Sequence, residues 1–117
     1  MPKVLLVEDN SSVAEIVTEF LKLLGYSTHV AYNASSALNF LMKHNYTLLI
    51  VDGQLPDKEG PWLVKEVKRK YPHLPIIGIS GNCYLDAFSR AGAEAYLAKP
   101  FTFHQLKEKV TALIPFP

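Results

Sequence analysis

A doubly wound α/β domain, with a parallel sheet covered by helices on both faces, is the fold class that this sequence predicts. Two observations carry that expectation. Short apolar runs recur along the chain, and the segments between them change to a helical period. The alternation of strand and helix repeats about five times, a (βα)5 pattern that implies right-handed crossovers between parallel strands.

Lys3 to Val7, Thr47 to Val51 and Pro75 to Ile79 are continuous and rich in Val, Ile and Leu, as strands buried on both faces require. Thr28 to Tyr32 and Ala93 to Leu97 complete the set. Val13, Ile16, Val17, Phe20, Leu21 and Leu24 fall on one stripe of an amphipathic helix. Asn10 or Ser12 can cap its start, Ser12 and Glu15 forming a capping-box pattern, and Gly25 can end it. A second helix reads from Asn33 to His44, with Ala37, Leu38 and Leu41 inward. A third reads from Pro61 to Lys70, with Leu63, Val64 and Val67 inward and Pro61 where its missing N–H costs nothing. Thr102 can cap a last helix that faces the core through Leu106, Val110, Leu113 and Ile114.

A length of 117 residues suits one domain, residues 1–117, able to bury roughly 65% of the unfolded chain's surface. The formal net charge of +1 creates no large field to attract nucleic acid or an anionic membrane. Lys65, Lys68, Arg69 and Lys70 cluster where the third helix ends, and read as a solvated face that complements the helix dipole. The single cysteine, Cys83, excludes an internal disulfide, and no apolar stretch is long enough for a membrane span, so a cytoplasmic location is expected. His29, His44, His73 and His104 show no spacing that suggests a metal or catalytic pair, and are expected at the surface or at an edge.

The strand ends carry charge that a core cannot use. Glu8 and Asp9 follow the first apolar run, Asp52 the second of the buried runs, Ser80 the third, and Lys99 the last. In an open parallel sheet, ligands bind outside the carboxyl ends of the strands, so these residues are expected in one crevice. Adjacent carboxylates repel unless a cation lies between them, and a set of hard oxygen donors suits Mg²⁺. Asp52 is then either a metal ligand alone or a nucleophile toward phosphorus, with Lys99 and the Ser80 hydroxyl holding phosphoryl oxygens.

The chain resembles the receiver domain of two-component response regulators, the family of the chemotaxis regulators. The matching segments are Val4-Leu5-Leu6-Val7-Glu8-Asp9-Asn10; Leu49-Ile50-Val51-Asp52, followed by Pro56 and Gly60; Ile77-Gly78-Ile79-Ser80; Ala91-Gly92-Ala93; and Tyr96-Leu97-Ala98-Lys99-Pro100-Phe101. They span the chain in the family's order. The resemblance implies a flavodoxin-like strand order, 2-1-3-4-5, and a cis bond between Lys99 and Pro100. It implies Asp52 as phosphoacceptor, served by a sensor histidine kinase or a histidine phosphotransfer protein. Asp9 and Asp52 would then bind Mg²⁺ directly, Glu8 through water, and Gln54 through its backbone carbonyl. Lys99 would pair with Asp52 and then with the phosphoryl group, while Ser80 and Tyr96 would switch to signal to a downstream partner.

The interval from Ser80 to Lys99 is shorter than the family's usual interval by roughly one helical turn. The fourth helix, near Tyr84 to Arg90, is therefore expected to be short or irregular, which bears on the family's usual output face. Gln54 and Asn82 border the line along which water would attack an acyl phosphate, and are expected to tune dephosphorylation. Asp57, Lys58 and Glu59, in the loop after Asp52, could contact a partner, although charges in such a loop are more often simply solvated.

Rival readings are weaker. A haloacid-dehalogenase-like phosphatase needs a second acid where Gln54 stands, and a flavodoxin-like cofactor binder needs a phosphate loop where Glu8 and Asp9 stand. A pseudo-receiver that works without phosphorylation would have no use for the full set of Glu8, Asp9, Asp52, Ser80 and Lys99.

Overall fold

The apolar run Lys3–Val7 forms β1, the strand between β2 (Ser27–Ala31) and β3 (Leu48–Asp52). β4 (Ile76–Ser80) pairs with β3, and β5 (Ala95–Ala98) closes the far edge, giving five parallel strands in the order β2-β1-β3-β4-β5. The computed structural model describes residues 2–81 and 84–114. Five helices follow the strands in turn: α1 (Ser11–Leu23), α2 (Ala34–Lys43), α3 (Gly60–Lys70), α4 (Leu85–Ala91) and α5 (Phe103–Leu113). α4, with seven residues, is the shortest of them, as the brief interval before Lys99 requires.

Alternation along the strands divides the core in two. Leu5, Val7, Leu49 and Val51 pack against α2, α3 and α4 through Ala37, Leu41, Leu63, Val64, Val67 and Phe88. Val4, Leu6, Ile50, Ile77 and Ile79 pack on the opposite face against α1 and α5 through Ala14, Val17, Leu21, Leu106 and Val110. Both faces are covered, so these runs show no polar alternation and read as unbroken apolar segments. The sequence boundaries shift by one or two residues, and the shift brings Asp52 and Ser80 into the last positions of β3 and β4.

α1 decides between the two caps that its sequence offers and departs from its sequence reading in its buried stripe. Asn10 is the cap: its side chain accepts the N–H of Val13 at 3.1 Å, in place of the Ser12–Glu15 box. The buried stripe is narrower than the apolar one, with Ala14, Val17 and Leu21 inside and Ile16 54% exposed. The exit matches expectation. Gly25, at φ 94°, lets the N–H of Tyr26 reach the carbonyl of Leu21 at 2.9 Å and its own N–H that of Lys22 at 3.0 Å, a Schellman ending. α3 starts one residue early, at Gly60, with Pro61 in its first turn. Thr102 caps α5 and exchanges hydrogen bonds with Gln105, which completes a capping box.

Candidate functional site

All five strands are parallel, so their carboxyl ends open on one side of the molecule, and the charged residues of the sequence meet there. A cleft of about 670 Å³ is lined by Glu8, Asp9, Asp52, Gln54, Ser80 and Lys99 together with Asn10, Val13, Leu55, Pro56, Gly81 and Tyr84. β1 delivers Glu8, whose N–H donates to the carbonyl of Ala31 at 3.0 Å and so stays in line with the sheet. Asp9 follows where the chain turns into α1 and is exposed. Each of Glu8, Asp9 and Asp52 offers a carboxylate oxygen within 4.8 Å of the others.

Lys99 ties this group together. Its Nζ lies 2.8 Å from Oε1 of Glu8 and 2.9 Å from Oδ1 of Asp52. Its own N–H donates to the carbonyl of Ser80 at 2.7 Å, which extends the β4–β5 ladder to the lysine, and the bond that joins it to Pro100 is cis. Burial opposes the ammonium charge, but the hydrogen bonds to Glu8 and Asp52 outweigh it and raise the lysine pKa. Glu8 is only 1% exposed, and burial lifts its carboxyl above the ordinary range despite hydrogen bonds from Lys99 and from the N–H of Asn10. The Lys99–Glu8 bond is a feature that sequence reasoning missed, because it paired the lysine with Asp52.

The backbone around Asp52 leaves little room. The Gly60 N–H donates to the carbonyl of Gly53 at 2.8 Å, and a Cβ on Gly60 would overlap the carbonyl oxygen of Asp52. The N–H of Gly53 donates to the carbonyl of Ile79 at 2.8 Å, which carries the β3–β4 ladder past the aspartate. Leu55 donates to the carbonyl of Lys58 at 3.1 Å, closing a turn that keeps Gln54 at the exposed rim.

Other expectations fall in different places. Ser80 is buried beside Gly53, whereas Tyr96, on β5, is 43% exposed and is not among the residues that line the cleft. Asn82 and Cys83 lie outside the described residues. Asp57 is exposed but also has a role within the chain: its two carboxylate oxygens accept the N–H groups of Ala34 and Ser35 at 2.9 and 3.0 Å, capping α2 from another loop. Lys68 leaves the solvated face and clamps the carbonyl of Leu74 at 2.7 Å and Glu94 at 2.5 Å. His29 and His44, which lack any suggestive spacing, bring their rings to 5.1 Å at the β2 edge, and Nδ1 of His29 is 2.7 Å from the hydroxyl of Tyr46. Tyr84 joins the cleft without having been singled out, an aromatic just beyond Ser80 being its one sequence signal.

Lys99 offsets one of the three carboxylate charges, and the two that remain match one divalent cation. Hard oxygen donors, with Asp9 open to solvent and to metal-bound water, fit Mg²⁺. A five-stranded parallel fold with such an acidic crevice defines a domain for Mg²⁺-dependent phosphoryl handling.

The response regulator receiver domain model matches residues 4–111, and the chain belongs to that family. It is 32% identical to the chemotaxis protein CheY of Pseudomonas aeruginosa, over 92% of this chain and 92% of that protein. It is 34% identical to the transcriptional regulatory protein HprR of Escherichia coli, over 94% of this chain and 50% of the regulator. The chain thus spans about half the length of several curated regulators that it matches. Among solved structures, the response regulator TrrA from Thermotoga maritima, in complex with Mg²⁺-BeF, superimposes with a TM-score of 0.91 at 32% identity, over 97% of this chain and all of that one (100%). The receiver domain of a sensor histidine kinase from Pseudomonas aeruginosa, with magnesium in its active-site cleft, gives 0.90 at 26% identity, over 97% of this chain and 98% of that one.

Proposed function

We propose that Asp52 is the phosphoacceptor of this receiver domain and that residues 1–117 act as one signalling unit in the cytoplasm. The observation that carries the reading is the convergence of Glu8, Asp9 and Asp52 within 4.8 Å, with Lys99 bridging two of them. The donor is a phosphohistidine on a sensor histidine kinase or a histidine phosphotransfer protein. A carboxylate oxygen of Asp52 attacks phosphorus as the N–P bond breaks, and the imidazole leaves with the bond's electron pair.

Asp9 and Asp52 would hold Mg²⁺ directly, with the backbone carbonyl of Gln54 and a water-mediated contact from Glu8. The bound ion supplies charge neutralisation at the phosphoryl oxygens. Lys99, already 2.9 Å from Asp52, can transfer its contact to the incoming phosphoryl group while keeping Glu8. The Ser80 hydroxyl would hydrogen-bond the same group, and Tyr96 would turn inward, passing the change to a downstream partner. Gln54, at the rim, and Asn82 would tune dephosphorylation.

Intact mass after incubation with Mg²⁺ and acetyl phosphate tests the reading. The expected gain is one phosphoryl group, absent in Asp52→Asn and without metal. A folded protein that gains nothing and ignores beryllofluoride would be an interaction module that works without phosphorylation.

A further inference from the structure

Where the cleft walls are neither acidic nor cationic, Tyr84 occupies a position that the phosphoacceptor reading does not use. A methyl group placed on Gly53 would stand 2.7 Å from Cδ2 of Tyr84 and 3.0 Å from Oγ of Ser80. The ring therefore rests on the backbone immediately after Asp52 and beside the serine. Tyr84 lines the acidic cleft with Leu55 and Pro56 and also lines an outer groove with Trp62 and Ala87.

Its backbone is anchored. The carbonyl of Tyr84 accepts the N–H of Phe88 at 2.9 Å, and the fully buried Phe88 ring lies flat on Gly78, where any Cβ would overlap it. The short α4 thus begins at the cleft, and its first anchor holds the tyrosine there.

An acyl phosphate on Asp52 is lost by hydrolysis. A water oxygen adds to phosphorus as the bond from phosphorus to the Asp52 oxygen breaks; the carboxylate keeps that electron pair, and the water's protons pass to inorganic phosphate and solvent. An apolar ring face beside the phosphoryl group takes up the space that such a water needs and offers it no acceptor. We propose that the Tyr84 ring is the water-excluding wall of the cleft and sets the lifetime of phosphorylated Asp52. The assignment rests on Asp52 as phosphoacceptor.

The test loads the full chain with acetyl phosphate and Mg²⁺, removes the donor, and follows loss of the phosphoryl group by intact mass. Tyr84→Ala is expected to shorten the lifetime about tenfold, while Tyr84→Phe keeps it within about twofold, because the ring and not the hydroxyl does the excluding. Tyr84→Leu, which retains apolar volume, is expected between them and carries the test if the alanine variant does not fold. Trp62 fluorescence during beryllofluoride titration checks that the site still binds. An unchanged lifetime in a variant that passes this check, or an equal shortening in Tyr84→Phe, overturns the assignment of Tyr84. A wild-type chain that never gains a phosphoryl group overturns the reading of Asp52 beneath it.

Discussion

Gly60 sets the position of Asp52 without touching the chemistry itself. Its missing side chain lets the first turn of α3 rest against the carbonyl of the aspartate, and its N–H holds the carbonyl of the next residue. Gly60→Ala forces β3 and α3 apart and is expected to cost about 1–3 kcal/mol, measured as a shift in urea unfolding, together with slower phosphoryl uptake. A variant as stable and as fast as wild type would show that the contact yields freely. The acids, the serine and the lysine were legible in the sequence because each directly follows or ends an apolar run. The partner of Lys99 was less legible: Glu8 and Asp52 both lie within reach only once β1 and β3 stand side by side, and the pairing register is a property of the sheet.

At the scale of elements, helix ends depend on distant residues. Asp57 caps α2 from the loop before α3, and although burial opposes its charge, the N–H groups of Ala34 and Ser35 and of its own loop hold the carboxyl below its ordinary pKa. Asp57→Ala is expected to lower stability by about 1 kcal/mol, and amide hydrogen exchange should quicken in the first turn of α2; unchanged exchange there would argue against the cap. That tether could not be read from the chain, since an acid in a polar loop looks the same whether it meets solvent or a helix terminus. Ile16 teaches the converse. Its apolar side chain continues the periodic stripe of α1, but a helix laid on a flat sheet buries only its central ridge, here Ala14, Val17 and Leu21. The shortness of α4 was legible from the Ser80–Lys99 interval once it was set against the family's usual one. Phe88 fastens that helix from within the core, and Phe88→Ala should cost about 3–5 kcal/mol in the same unfolding assay.

Over the whole molecule, charge and protonation act through linkage. The acidic cleft favours the metal-bound state, and a free concentration a hundred times the dissociation constant adds about 2.7 kcal/mol to stability. Asp9→Asn should stabilise the metal-free protein by easing repulsion between neighbouring acids, and should abolish most of the gain on adding Mg²⁺. Thermal unfolding with and without the ion checks both signs. At the β2 edge of the sheet, burial, reinforced by Lys3 and His44, holds His29 below its ordinary value of 6.5. The unfolded chain therefore takes up this proton first. Stability from the neutral ring is complete above pH 6.5 and is lost as pH falls through the lower folded value. Urea midpoints from pH 8 to 5 should fall less steeply in His29→Gln, and parallel curves would remove His29 from the account.

The bridge between Lys99 and Glu8 joins residues separated by 91 positions. The acids belong to the ends of β1 and β3 and the lysine follows β5, so a domain without its last strand would carry the negative charge without its compensating cation. The ammonium therefore reaches the acids only when the last strand has joined the sheet.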